Sequence, residues 1–446
     1  MAIVSGSSGF LRLSGGSWFA IALRFCRFSK CLAVLCPLIV ISLGPSWVFA
    51  KQTPNADNRF ALTGERIYPS PTEEPIVDGV VIVQNGKLVS VGEAGEIRIP
   101  RGIRTIDCSG KTLVAGLWNT HVHFIEAKWN NAANVPAQQL TRQLQEMLRR
   151  YGFTSVVDTG SPLENTLALR KRVNDGEVLG PRILTSGMII FPQNGLPYYL
   201  TESSAPEVVA IFAKGEAATP KDAVQIVDEQ IARGADIVKL YIVTWLRRDG
   251  KVRPSPMPLS IVQAATDEAH RKGKLVFAHP STMEGVELVL AGHVDALAHT
   301  AEKPGEAWNS TLNTRLKSGH ITLIPTLTLF SHDQDFNAIL KEVKTYEDAG
   351  GQIMFGTDIG YLTDYSALTK EYGYLARAGL TFRQILASLT TTPAARLGYA
   401  RRTGEVRRGM DADLCLLEGD PAQDINAFSH VALTIYQGQI IYQAPK

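Results

Sequence analysis

Leu113-Val-Ala-Gly-Leu-Trp-Asn-Thr-His-Val-His-Phe124 is an apolar run that ends in two histidines. Its length and content fit a buried strand. Along a strand, residues two apart point to the same side, so His121 and His123 face one point. Seven more strands are expected downstream: Ser155 to Gly160, Arg182 to Met188, Asp236 to Val243, Lys274 to Pro280, Asp295 to Thr300, His320 to Leu329, and Ile353 to Gly360. Helical stretches lie between them, as at Ala137 to Arg150, Ala223 to Arg233 and Leu259 to Lys272. Short apolar strands alternating with helices argue for a parallel α/β fold. Eight such units in about 290 residues are the size of a (β/α)8 TIM-like barrel, assigned to 113–399.

Outward from the first strand, the unusual residues recur at strand ends. Lys239 lies within Ile237-Val-Lys-Leu-Tyr-Ile-Val243, His279 ends the fifth strand, His299 the sixth, and Asp358 the eighth. The carboxyl ends of the strands form the catalytic face of such a barrel. Each residue alone has a plain structural account. Lys239 fits a side chain reaching to the rim, His279 and His299 fit core histidines, and Asp358 fits a turn cap. A lysine inside an apolar strand buries a charge, which is costly unless paired. Joint placement on strands 1, 4, 5, 6 and 8 favours one shared site. Tyr241 lies two residues past Lys239 and shares its side, as a substrate contact or a barrel-wall tyrosine. His332, after strand 7 on the catalytic side, is a second candidate substrate contact. Asp158, ending strand 2, either orients a histidine or merely ends the strand. His270, His293, His320 and His430 fall away from the site. The long connection from Ile189 to about Thr219 is the size of a loop that covers an active site.

Both flanks of the barrel read as short strands. Two apolar runs surround Asn85-Gly86, a strong hairpin signal. Similar runs occur at Ala412 to Leu417, Val431 to Tyr436 and Gly438 to Tyr442. Segments 58–112 and 400–446 are therefore expected to form one small β-sandwich domain from both chain ends. Cys108 and Cys415 lie in these segments, as a bridge or as buried free thiols.

The first 50 residues read as a signal peptide. Cations end at Lys30, an apolar run from Cys31 to Gly44 follows, and Val48-Phe-Ala50 places small residues as a signal peptidase requires. An uncleaved anchor is the alternative reading. Export to the periplasm or outside is thus expected, with no membrane association after cleavage. The unmatched cations Arg12, Arg24, Arg27 and Lys30 outnumber the whole-chain net charge of +2, so the rest of the chain is slightly acidic. That balance gives no electrostatic case for nucleic-acid binding. Homo-oligomerisation stays open.

The pattern resembles the amidohydrolase superfamily, in particular its prolidase-like and imidazolonepropionase-like members of the binuclear branch. The matching pieces are Gly116 to Phe124, Gly234-Ala-Asp-Ile-Val-Lys-Leu-Tyr241, Phe277-Ala-His279, Ala298-His299, Gly356-Thr-Asp358, Thr392-Pro-Ala-Ala-Arg-Leu-Gly398 and Gly409-Met-Asp-Ala-Asp-Leu414. The resemblance covers essentially everything after the signal segment. It implies that His121, His123 and Asp358 bind one divalent ion and His279 and His299 a second. Lys239, carboxylated by CO₂, would bridge both ions. Imidazole and oxygen ligands suit zinc. The implied reaction is hydrolysis of an amide bond in a small molecule or peptide, probed first as a dipeptide or N-acyl amino acid. A hydroxide bridging the ions would attack, with Asp358 as general base and acid and Tyr241 assisting.

Two departures bear on substrate. Asn119 stands where the superfamily often has Asp. The segment Met188 to Leu200 lacks the histidine that family dipeptidases tend to carry there, while Tyr198, Tyr199, Trp245 and Phe330 suit a bulky or aromatic group. The alternatives are a mononuclear deaminase or cyclic-amide hydrolase of the imidazolonepropionase type, and a non-catalytic binding protein on the same fold. Lys239 discriminates the first alternative, because the mononuclear enzymes lack it.

Overall fold

The computed structural model describes residues 59–203, 206–302 and 308–445. Residues 1–50, expected to be a signal peptide, lie outside the described residues. Among those described, no helix is long and apolar enough to cross a membrane.

Two parallel sheets make the body. One holds the strands Leu117–Val122, Phe153–Asp158 and Arg182–Thr185; the other holds Val238–Tyr241, Val276–His279, Ala296–Ala298, Thr322–Ile324 and Gln352–Ile353. Single parallel bridges join their ends: Ile190 to Leu240, and Val122 to Ile359. The strands are short and buried on both faces, as crossover helices on the outside require. The helices follow local rules. Ala137–Met147 buries Leu140, Leu144 and Met147, one stripe at helical spacing. Pro220–Arg233 starts from a Thr219/Asp222 capping box with Pro220 in its first turn and stops at Gly234.

The expected first strand is in fact two. Lys111–Ala115 belongs to the terminal sheet, Leu117–Val122 to the parallel one, and the chain crosses between them at Gly116. A Cβ at Gly116 would meet Thr154 Oγ1 at 2.2 Å, so only glycine allows this passage. The expected seventh strand, His320 to Leu329, is also cut. It ends at Ile324, because Thr326 has φ 46° and Leu327–Phe330 turns helical.

Both chain ends build one eight-stranded sheet rather than two separate facing sheets. Its order is Gln439–Gln443, Val431–Tyr436, Leu414–Glu418, Lys111–Ala115, Arg59–Ile67, Ile76–Gln84 and Lys87–Glu93, with Arg104–Asp107 beside Arg59–Ile67. The seam is antiparallel, with Leu414 opposite Ala115 and Glu418 opposite Lys111. The sheet bends back on itself. The Asn85-Gly86 turn, with both residues at positive φ, reaches the 409–412 segment through Leu88 N–H to Met410 O and Ala412 N–H to Gly86 O. Phe60, Leu62, Val81, Leu414, Leu433 and Ile435 then share one core. Packing is thus sandwich-like while the hydrogen bonding is continuous. Cys108 and Cys415 are both buried and free.

Arg182 fastens the parallel sheet to the terminal one. Its guanidinium donates to Ser155 Oγ at 2.6 Å, lies 3.1 Å from Asp413, and stacks over Tyr399 at 4.9 Å. Both charges are buried, so removing one strands the other. Arg182→Ala is expected to lower unfolding free energy by about 3–5 kcal/mol. The denaturation midpoint, read by far-UV circular dichroism, checks this.

Candidate metal centre

The backbone brings the first and last strand ends together. Asp358 N–H donates to His121 O at 2.9 Å and His123 N–H to Ile359 O at 2.8 Å. Gly360, at φ 99°, passes so close that a Cβ there would lie 1.9 Å from His123 O. Asp358 itself sits at φ 60°, a left-handed conformation that aspartate tolerates better than most residues. This interlock leaves Asp358 Oδ1 2.9 Å from His123 Nε2 and 3.4 Å from His121 Nε2. His121, His123 and Asp358 are all buried, and one ligand atom from each lies within 4.8 Å of the others.

The histidine hydrogen bonds decide what those atoms present. His123 Nδ1 is 2.8 Å from the Gly160 carbonyl, which only accepts, so Nδ1 carries the proton. Nε2 then offers a lone pair to a carboxylate oxygen at 2.9 Å. Two Lewis bases so close require a cation between them, either a proton or a metal. Burial opposes a proton on His123, but the hydrogen bond and charge of Asp358 outweigh it and hold the imidazole above its usual value. Burial drives His121 well below its ordinary value, and neighbouring Lys239 pushes the same way. Neutral imidazoles beside a carboxylate suit a divalent metal ion.

The other sequence-selected residues gather beside this trio. The His121 and His299 rings are 4.4 Å apart, and His279 and His299 are 4.6 Å apart. Burial keeps both His279 and His299 below the ordinary imidazole range. His299 Nδ1 lies 2.5 Å from Thr326 Oγ1. The Lys239 amine is buried and donates to Ala298 O at 2.8 Å. Burial pushes it down to about 7, with Asp358 pulling weakly back.

Tyr241 is buried beside the histidines. Its ring stacks on His279 at 4.1 Å and its hydroxyl meets that of Tyr199 at 2.5 Å. Burial raises the phenol strongly. Tyr199 belongs to the helix Tyr198–Ser203, so the long connection is pinned over the fourth strand. Phe330 packs edge-on against His299 at 5.8 Å. His332 is exposed on the turn after Leu327–Phe330. His270 pairs with Asp295 at 2.8 Å, while His293, His320 and His430 are exposed.

Three supporting residues complete the surroundings, and of these only Glu302 escaped the sequence reading. Asn119 ties the two motifs together, accepting from His121 N–H at 3.2 Å and donating to Thr357 Oγ1 at 2.7 Å. Glu302 accepts from Trp245 Nε1 at 2.9 Å and stands 3.9 Å from His279 Nε2. Its place three residues past His299, on the catalytic side, was the available signal. Asp158 acts at one remove. It accepts from Gly160 N–H, Ser161 Oγ, Thr166 Oγ1 and Thr185 Oγ1, so it fixes the turn whose Gly160 carbonyl orients His123.

Residues 112–441 match the Amidohydrolase family. Ochratoxinase of Aspergillus niger is 23% identical over 419 residues, covering 83% of this chain and 84% of that protein. Guanine deaminase of Escherichia coli is 24% identical over 401 residues, covering 80% and 85%. The crystal structure of a Xaa-Pro dipeptidase with bound methionine superposes with a TM-score of 0.72 at 20% identity, covering 86% of this chain and all of that one. The chain belongs to the amidohydrolase family and is a hydrolase acting on carbon–nitrogen bonds.

Asp158→Ala is expected to weaken metal binding about 10–100-fold, as loss of an outer hydrogen-bond partner does elsewhere. Chelator-competition titration of the purified protein measures it.

Proposed function

We propose that this chain is a two-metal hydrolase that cleaves the amide bond of a small dipeptide or N-acyl amino acid. The carrying observation is the convergence of His121, His123, Lys239, His279, His299 and Asp358, all buried, at one end of the parallel strands. The two sheets, linked by the Ile190–Leu240 and Val122–Ile359 bridges, support a closed (β/α)8 barrel over 113–399, with 58–112 and 400–446 as its composite β domain. The cationic and apolar segment before residue 50 supports export to the periplasm or outside.

His121, His123 and Asp358 would hold one ion, and His279 and His299 the other. Zinc suits this mix of imidazole and carboxylate. Among the six groups only Asp358 is an acid, which is little negative charge for two dications. Carboxylation of Lys239 supplies a second anion and removes the cost of a buried amine that has one hydrogen-bond acceptor. Such a pair of ions supplies a nucleophile at neutral pH and polarises a carbonyl. The residues do the rest. Asp358 takes a proton from the attacking water and passes it to the leaving nitrogen as the C–N bond breaks. Asn119 and Asp158 keep the ligands in register, and the pinned helix Tyr198–Ser203 limits access of bulk water.

An aromatic group on the substrate fits the mouth. Tyr361, 48% exposed, lies 6.1 Å from the Tyr199 ring, which lies 5.7 Å from Tyr198, and Arg247 stacks over Tyr198 at 4.5 Å. Tyr361→Ala is expected to raise KM several-fold for aromatic N-acyl amino acids, with little change for aliphatic ones. Paired steady-state assays compare them.

Elemental analysis of the chain lacking residues 1–50 tests the centre. About two metals per chain are expected, falling to one or fewer in Lys239→Ala, with kcat lost by about 10²-fold or more. Bicarbonate should raise metal uptake in the parent and not in the variant. One metal, unchanged in Lys239→Ala, would instead establish a mononuclear enzyme of the deaminase or cyclic-amide type.

A further inference from the structure

Glu371 is a fully buried carboxylate on the helix Lys370–Arg377, outside the six proposed ligands. It does not touch the histidines. Its Oε1 accepts from Leu327 N–H at 2.7 Å, and its Oε2 accepts from Thr328 N–H and Thr328 Oγ1, each at 2.7 Å. Those amides open the four-residue helix Leu327–Phe330, so the carboxylate satisfies donors with no intrahelical partner. The residue just before them is Thr326, held at φ 46°. A β-branched residue in the left-handed region is strained and persists only where its surroundings enforce it.

The strained position has a consequence for His299. Thr326 Oγ1 also lies 2.8 Å from Pro325 O, a pure acceptor that gives its hydroxyl proton a place to go. The oxygen can then only accept from His299 Nδ1, 2.5 Å away. This arrangement favours the His299 proton on Nδ1, which presents the Nε2 lone pair. The hydrogen bond on one ring nitrogen sets which nitrogen is free for a metal.

We infer that Glu371 is a positioning residue for His299, acting through the backbone turn at Thr326, and that it sets the affinity of the ion site formed by His279 and His299. The inference deepens the two-ion reading above and rests on it. Glu371→Gln keeps size but replaces one accepting oxygen with an NH₂ facing donors. The Thr326 turn then relaxes and His299 loses its fixed tautomer. Thr326→Ala cuts the same chain one step nearer the ring, while Thr326→Ser keeps the hydroxyl.

The experiment strips the full chain of metal with chelator and titrates it with Zn²⁺ against a competing dye. The parent protein, Glu371→Gln, Thr326→Ala, Thr326→Ser and the double variant Glu371→Gln/Thr326→Ala are compared. The expected result is about a tenfold weaker second equivalent in Glu371→Gln and in Thr326→Ala, with the first equivalent little changed. Thr326→Ser should behave as the parent. The double variant should be no weaker than Thr326→Ala alone, since both substitutions break one serial contact. A packing role for Glu371 would lower thermal stability without this non-additive loss, and that outcome overturns the inference. So does a second equivalent unchanged in Glu371→Gln while the parent binds two ions, which leaves the two-ion reading standing. A parent that binds only one ion overturns the two-ion reading itself, and the inference with it. Should Glu371→Gln fail to fold, Thr326→Ala against Thr326→Ser decides: equal affinity for the second ion overturns the inference, and loss in the alanine variant alone supports it.

Discussion

Burying the Lys239 amine beside four imidazoles is the constraint that the rest of the structure answers. A cation there has one carbonyl acceptor, Ala298 O, and no carboxylate in direct contact among the described residues. Burial therefore favours the neutral amine and neutral rings alike. A set of mostly uncharged nitrogen bases beside Asp358, with Glu302 3.9 Å from His279, is poor as a folded core and good as a ligand set. The cost of holding it must be met elsewhere, by apolar packing around the strands and by fixed hydrogen bonds at each ring.

Those hydrogen bonds share a plan. Each ring with an Nδ1 contact meets an oxygen placed to accept from it: Gly160 O for His123, and for His299 Thr326 Oγ1, whose own hydroxyl can reach Pro325 O. Behind each oxygen stands a buried carboxylate, Asp158 in one case and Glu371 in the other. Asn119 plays the matching part for His121 through the backbone. An amide suffices there because the contact is to a peptide N–H and a threonine hydroxyl, neither of which needs a negative charge. The departure from aspartate at that position is thereby accounted for.

Much of this site was legible in the sequence because its parts repeat one rule. A histidine, lysine or aspartate at the carboxyl end of an apolar run announces itself one strand at a time, and the order along the chain does the rest. What stayed hidden has physical reasons. The split at Gly116 looks like one apolar run, because both halves are buried although they serve different sheets. The early end of the seventh strand depends on Thr326 adopting a strained φ, which its residue type disfavours and which distant Glu371 helps to hold. Tyr241 shares a strand face with Lys239 as read, yet its hydroxyl is taken by Tyr199 from a connection whose path no local pattern predicts. The terminal segments were read as one unit from their matching strand patterns, but a single bent sheet and a two-sheet sandwich have the same alternation.

The seam of that bent sheet joins residues 307 positions apart, as between Lys111 and Glu418. During synthesis the strand Lys111–Ala115 therefore waits with an open hydrogen-bonding edge until Leu414–Glu418 emerges, by which time every strand of the parallel body has been made. An unpaired apolar edge is a template for other chains as well as for its own partner. Contacts of such separation also form slowly, because the loop must close before they stabilise it. Until Leu414–Glu418 is made the first β segment stays unmatched along this edge, and a nascent chain exposes it to other chains instead of to itself.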